Sequence, residues 1–540
     1  MQFRNKVVHI HMPDLSQAPA SLIDALAAIV GNDNVITDPK RREIYGTDIF
    51  FKRTPPLLGV RPRSSSEIPA IVTAIAAHGC TLAPRGGGLS YSAGYLTDRA
   101  DTVTIDMGAC NRIIEINAED MYVHVEAGVT WNQLNEALKP KGLRTPFWGT
   151  GSGLVATVGG GLSQNAINYG SARWGFLADS VIGLKVVLGD GRELRTGAWA
   201  ASENPTPFTR HYGPDLTGIF CADAGAMAVK SEIVLQLIER PKAVRYAAFS
   251  FEKREDFTWC MSEVGRRNLV TECFGIDPWF LSERIASTGF SDDVQKLINV
   301  AKEQNSVLGG LKAAFEVAVA GRHYLKGVGY TIHMTMDGRD DADAESELAE
   351  VRAVCKNRGG KEIEASIPKI MRGTPFPPPL MMLGPDGDRW VPMHGIVPHS
   401  KHLTVLERVD AYFNKHADVV KAHNLVWGHV SNLIGRSCTL VEVNFYWKDA
   451  RTAMIESYLD KSFLDTKATY PPAPDTWSAV NTLRSGLSEI FRDLGGIHMQ
   501  IGRTYPFLAS RKPENQALLR SLKTYFDPKG VINPGALGLP

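Results

Sequence analysis

The sequence predicts a mixed α and β protein built from more than one structural unit, and three observations carry that prediction. The chain has 540 residues, which at about 150 residues per domain corresponds to two to four units. Helix signals and strand signals alternate through its first part, which no helical bundle would show. Two glycine-dense loops, each beside a strand-like run, interrupt that alternation. Hydrophobic residues make up 44% and charged residues 22% of the chain, ordinary values for a globular protein. The 59 Lys+Arg against 58 Asp+Glu leave a formal charge of +1, so neither nucleic acid nor an anionic membrane surface is expected as a partner. The seven cysteines are scattered and contain no Cys-x-x-Cys pair, which disfavours a disulfide scaffold or a zinc site, and no metal is expected. The run Met1–Pro13 lacks the apolar core of a signal peptide, and no apolar stretch nears the roughly 18 residues of a membrane span. A cytoplasmic protein is expected.

Taken in order, Ser64-Ser65-Ser66-Glu67 has the spacing of a capping box. Ile68, Ile71, Val72 and Ile75 then recur at helical spacing, which predicts a helix ending at Gly79. Cys80–Ala83 is strand-like and stops at the first glycine loop, Pro84–Gly94. Asp101–Met107, Arg112–Ile116 and Tyr122–Glu126 predict short strands, and Thr130–Gln133 gives a second capping box opening a helix that ends near Gly142. The second glycine loop covers Gly149–Gly161, followed by a strand over Ser180–Leu188 and a turn at Asp190-Gly191 into Glu193–Thr196. From about residue 240 the glycine clusters thin, and aromatic and charged residues interleave over Phe249–Phe257 and Trp279–Arg284, so a domain boundary is placed there. Residues 371–398, rich in Pro and Met, predict an irregular loop. After it come a helix near His402–His423, a strand near Cys438–Trp447, a helix near Ala479–Leu494 and a turn-rich tail at Phe526–Gly535.

Consecutive glycines let the backbone approach a ligand closely and turn N–H groups inward, as a pyrophosphate requires. Neither loop has the Gly-Lys-Ser/Thr of a nucleoside triphosphate site or the G-x-G-x-x-G of a Rossmann turn. A structural turn is the plain alternative for each loop alone; two together favour a dinucleotide.

Resemblance carries the argument further. Pro84–Gly94, Thr157–Arg173, Asp179–Leu184, Gly218–Lys230 and Phe526–Gly535 occur in the order found in FAD-linked oxidoreductases related to vanillyl-alcohol oxidase and 4-cresol dehydrogenase, and the chain resembles that family over nearly its whole length. The ending Pro534–Pro540 is similar to the phenol-oxidising branch. The resemblance implies an α+β fold: a two-subdomain FAD-binding domain over 1–240, a cap domain with an antiparallel sheet over 241–490, and a segment over 491–540 that returns to the FAD domain. It implies FAD as cofactor, with Pro84, Arg85, Gly86, Gly87, Gly88, Leu89 and Ser90 around the pyrophosphate. Thr157, Val158, Gly160, Gly161, Gly170 and Ser171 would line the flavin, and Gly225 and Val229 would contact it through their backbone.

In the phenol-oxidising branch, tyrosines and an arginine hold the substrate as phenolate while hydride leaves the para side chain and a quinone methide forms. A guanidinium suits this because it never deprotonates and stabilises the anion. Tyr91 and Arg503 match two members of that cluster. The third expected tyrosine is replaced by Gly502, with Tyr505 nearby as a substitute. The aspartate expected near flavin N5 aligns with Phe176. The histidine that bonds the flavin in vanillyl-alcohol oxidase aligns with Thr439, next to Cys438, and Leu89 leaves no histidine at the other common attachment point, so FAD is expected without a covalent bond. Tyr446 and His394 remain long shots for attachment or catalysis, and Glu442 and Asn444 share one strand face that could meet either the site or solvent. A small aromatic substrate, oxygen or an electron acceptor such as a cytochrome, and a homodimer are the partners the resemblance implies. Two rivals stand beside this reading. One is an FAD-linked 2-hydroxy-acid dehydrogenase, whose Gly-His…Asn-x-His metal motif is incomplete here because Gly428-His429 is followed by Asn432-Leu433 without a second histidine. The other is a flavin-binding protein without turnover.

Overall fold

The structure is a computed structural model, and it describes residues 18–203, 205–281 and 328–540. The expectations placed on Met1–Pro13 and on Arg284 lie outside these residues. The first sheet contains β1 (Val35–Ile36), β2 (Leu58–Val60), β3 (Thr81–Arg85) and β4 (Thr102–Asp106), in the order β1-β2-β4-β3, with β2, β4 and β3 parallel. Further along come β5 (Ile113–Asn117), β6 (Tyr122–Glu126), β7 (Leu143–Arg144), β8 (Val181–Val187), β9 (Glu193–Arg195), β10 (Val229–Gln236) and β11 (Ile238–Glu239). Here β7 pairs with β11, and the other five form an antiparallel sheet ordered β5-β6-β10-β8-β9. The helix over Ile68–Ala77 buries Ile68, Ile71, Val72 and Ile75 against the first sheet, as their spacing requires, and Gly79 leaves it at φ +69°.

The next seven strands form one antiparallel sheet. They are β12 (Ala243–Phe251), β13 (Glu272–Ile276), β14 (Tyr330–Gly338), β15 (Lys361–Ile363), β16 (Arg389–Pro398), β17 (Val426–Ile434) and β18 (Cys438–Trp447), ordered β15-β12-β14-β13-β17-β18-β16. Register fixes what each face carries, because side chains alternate along a strand. One face presents Met334, Met393, Val441, Val443 and Phe445 to the helices Arg254–Arg266, Asp341–Lys356, His402–Lys415 and Pro474–Asp493. The other presents Phe274, Val430, Glu442 and His394 toward the first two sheets. Ile396, Ile434 and Leu440 from this side close on Ile167, Phe176 and Met499.

Three local expectations are corrected. Residues 371–398 are not one irregular loop: a helix ends at Gly373, and Arg389–Pro398 is the edge strand β16. Pro392 misled the sequence pattern, yet an edge strand tolerates a residue that cannot donate to a second neighbour. The helix over His402–His423 breaks at His416 into two pieces, His402–Lys415 and Ala417–Ala422. The Ser64–Glu67 capping box does not close, since Ser64 caps a short 3-10 turn and the Glu67 carboxylate accepts from the Arg63 main chain. The Thr130–Gln133 box forms as expected.

Candidate functional site: a glycine-walled cleft under the seven-stranded sheet

The two glycine loops meet wall to wall. A Cβ on Gly86 would lie 2.4 Å from Thr157 Oγ1, and one on Gly87 would lie 2.3 Å from the Val155 carbonyl oxygen. Only glycine permits that approach. Between the loops opens a cleft with about 940 Å³ of empty space. It is lined by Pro84, Arg85, Gly86, Gly87, Gly88, Leu89, Ser90, Thr157, Gly160, Gly161 and Gly225 among the residues the sequence singled out. Val158, Gly170, Ser171 and Val229 are not part of that lining; Gly170 gives its N–H to Glu272, and Ser171 lines a separate small cavity with Glu272. The lining also holds Trp131, Gln164, Lys230 and Gln500, none of which the sequence singled out as a site residue.

Arg85 backs the first loop from below. Its guanidinium lies 5.3 Å from the ring centres of both Tyr45 and Tyr95, donates to the Tyr458 hydroxyl at 2.9 Å, and sits where a Cβ on Gly88 would be. Tyr458 passes the contact on by donating to the Gly87 carbonyl at 2.8 Å. Five polar atoms on lining residues are buried without a protein partner: Arg85 Nε, Ser90 Oγ, Trp131 Nε1, Gln164 Oε1 and Gln500 Oε1. Buried polar atoms are nearly always satisfied. Donors and acceptors left open along a glycine-walled cleft fit a long polar ligand such as a dinucleotide.

Gln500, which lines the cleft, connects it to a second cluster to which the cap sheet contributes. Tyr91 Oη lies 2.7 Å from His394 Nε2 and accepts from Gln500 Nε2 at 3.0 Å. Tyr505 Oη accepts from the His394 main-chain N–H at 3.4 Å, and the His498 ring stacks on Tyr505 at 4.0 Å. His498 Nδ1 donates to the His394 carbonyl at 2.7 Å. Arg484, buried in the Pro474–Asp493 helix, donates to the Tyr91 and Pro392 carbonyls, lies 4.4 Å over the Phe50 ring, and leaves Nε and Nη1 without partners. Burial lowers its pKa. Glu442 faces the cluster from β18, directly opposite His394. Burial pushes its carboxyl up to about 7, against a hydrogen bond from Asn444. Burial, then the Glu442 charge, holds the Tyr91 hydroxyl well above its usual pKa.

Tyr91, Tyr505 and His394 are thus brought together, and Arg503 is not among them. Its terminal nitrogens donate to the carbonyls of Ala93, Gly94 and Pro534 and to Asn533 Oδ1, all at 2.8–3.0 Å. Burial and the neighbouring Arg53 draw its pKa down to about 10. It clamps the Tyr91 loop to the C-terminal turn. The arginine beside the tyrosines is Arg484. His429 lies on the opposite face of the sheet, in register with Val443 and on the side where His402 bonds Ser431. Among the described residues, no group of three or more His, Cys, Asp or Glu is placed to hold a metal ion.

Comparison with known proteins agrees with the cleft. Residues 56–197 match the family described as an FAD binding domain, and residues 504–537 match the C-terminal domain of FAD linked oxidases. The chain thus contains a stretch like the FAD binding domain and a short C-terminal stretch like that of the FAD linked oxidases. FAD is the cofactor, and the open donors and acceptors of the cleft are where this flavoprotein would hold it. Its fold is that of p-cresol methylhydroxylase with substrate bound, at a TM-score of 0.72, 14% identity and 96% coverage of each chain. The 4-ethylphenol oxidase from Gulosibacter chungangensis in its isoeugenol complex gives a TM-score of 0.70 at 16% identity, covering 98% of this chain and 99% of that one. By sequence the flavoprotein is 31% identical over 246 residues to the mitochondrial D-lactate dehydrogenase [cytochrome] of Arabidopsis thaliana, covering 45% of this chain and 41% of the relative. The chain spans about half the length of the curated relatives it matches. Among its described residues no helix is long and apolar enough to cross a membrane.

Proposed function

We propose that the flavoprotein oxidises the side chain of a 4-substituted phenol. The observation that supports this best is the juxtaposition of Tyr91, Tyr505 and Arg484 on the cap side of the FAD cleft. Two phenolic hydroxyls and a buried guanidinium with unpartnered nitrogens make a place for an oxygen anion, which a positive charge in a low-dielectric site stabilises strongly. Bound FAD supplies the acceptor for the hydride that leaves the substrate's side-chain carbon. The chain's own part is to hold the phenol oxygen with Tyr91 and Tyr505, to favour its ionised form through the Arg484 charge, and to exclude water with Trp390, whose ring centre lies 6.0 Å from that of Tyr91. Glu442, whose carboxyl burial pushes up to about 7, is suited to take the proton as the phenol ionises, before hydride leaves and the quinone methide forms. Arg503 is assigned a positioning role, as the clamp of the Tyr91 loop.

The D-lactate dehydrogenase relatives favour a second reading, oxidation of a 2-hydroxy acid whose carboxylate occupies the same anion site. Anaerobic titration of the flavin spectrum separates the two. Bleaching by a 4-alkylphenol or a 4-hydroxybenzylic alcohol, and not by D-lactate, is expected; bleaching by D-lactate alone overturns the phenol reading. Readmitting air then shows whether oxygen is the acceptor or an electron-transfer partner is required.

A further inference from the structure

The hydrogen-bonding capacity of Tyr91 can be counted. A phenolic oxygen has two lone pairs and one hydrogen. Gln500 Nε2 donates to it at 3.0 Å and occupies one lone pair. His394 Nε2, at 2.7 Å, takes a second position. One position is left for a ligand, and its character depends on the imidazole. If His394 Nε2 accepts, Tyr91 gives its hydrogen to the ring and offers the ligand a lone pair, suited to a protonated oxygen. If Nε2 carries the hydrogen, both lone pairs of Tyr91 are used and its own hydrogen must go to the ligand, suited to an ionised oxygen.

Three observations decide between these states. The His394 ring is completely buried, and that burial, with His498 and Arg484 beside it, keeps it neutral, so it carries one N–H. Its Nδ1 is buried and meets no hydrogen-bond partner beyond its own main chain, which His498 already occupies. An orphaned buried N–H is rarer and costlier than an unused lone pair, so the hydrogen belongs on Nε2, where Tyr91 receives it. His498 offers Nδ1 no relief, because it gives its own Nδ1–H to the His394 carbonyl and takes the Ser488 hydroxyl on Nε2. Finally, Arg484 stands close by with two nitrogens unpartnered. Its charge favours the same ionised ligand, while the opposing carboxyl, Glu442, is close to neutral.

We propose that His394 and Gln500 are positioning residues that make Tyr91 a one-way hydrogen-bond donor, so that the site selects an ionised ligand oxygen over its protonated form. That the oxygen is a phenol's rests on the function proposed above; the orientation of Tyr91 does not.

Two measurements on the FAD-loaded protein keep these apart. With histidines labelled in 15N, a long-range proton–nitrogen correlation reports the tautomer of each ring, and the His394 signal is the one lost in His394→Gln. An Nε2–H pattern is expected, and an Nδ1–H pattern overturns the proposal. The second probe is 4-nitrophenol, whose ionised form absorbs visible light. The wild type should hold it ionised at a pH where the free compound is protonated. His394→Leu should lose that preference by about tenfold or more, as should Gln500→Leu if the first variant fails to fold. His394→Gln, whose amide nitrogen can replace Nε2, should retain most of it. An unchanged preference in both leucine variants overturns the proposal. An Nε2–H pattern together with no uptake of 4-nitrophenol supports the orientation and removes the phenol reading.

Discussion

Glu442 decides the pH behaviour of the site at the scale of single residues. Its carboxyl titrates at about 7 because burial disfavours the charged form. As pH rises through that value, a negative charge appears beside Tyr91 and the ligand oxygen. Affinity for a phenolate, corrected for the ligand's own ionisation, should therefore fall by about tenfold between pH 6 and 9. In Glu442→Gln the fall should vanish, which titration of 4-nitrophenol binding across that range would check. Neither Glu442 nor Arg484 could be assigned from sequence, for different reasons. Glu442 and Asn444 clearly share a strand face, but which face meets the site depends on pairing with β16, separated from β18 by residues 399–437, and not on the adjacent hairpin partner β17. Arg484 lies on an amphipathic helix where a charged residue ordinarily meets solvent; tertiary packing against β16, Phe50 and the Tyr91 loop buries it. Arg503 was legible as an arginine near the right loop, and its side-chain direction was not.

Elements built from local signals were the most legible. The glycine loops, the Thr130 capping box and the strand over Cys438–Trp447 follow from residue spacing alone. The loops also yield a sharp test, since their glycines matter for what would replace the missing side chain. Gly87→Ala forces a methyl group against the Val155 carbonyl, an overpacking that costs about 1–3 kcal/mol. The variant should fold but carry FAD about 10- to 100-fold more weakly, read from the flavin-to-protein absorbance ratio after dialysis. What local signals could not show is the edge strand β16, whose prolines resemble a loop and whose His394 therefore had no assigned neighbours.

Across the whole molecule, buried charges join the cap sheet to β7 and to the chain around Trp148 and Gly170. Arg372 bridges Glu272 and Asp337, Asp337 also binds Arg144 at 2.7 Å, and Glu272 accepts from Gly170 N–H and Trp148 Nε1. Removing one member of such a network leaves its partner charged and unpaired, at a cost of about 3 kcal/mol or more. Arg372→Met should lower the melting temperature and split a single unfolding transition into two, as calorimetry would show. The Tyr91 loop is held in the same long-range manner. Asp48 takes the Ala93 N–H, Arg484 the Tyr91 carbonyl, Arg503 the Ala93 and Gly94 carbonyls, and Asn533 the Gly94 carbonyl. Three of those four anchors follow the loop by roughly 390 to 440 residues, so on the ribosome the loop waits for nearly all of the chain to emerge. A nascent chain could shape its first two sheets early, yet it would hold no ordered Tyr91 until translation had passed Asn533.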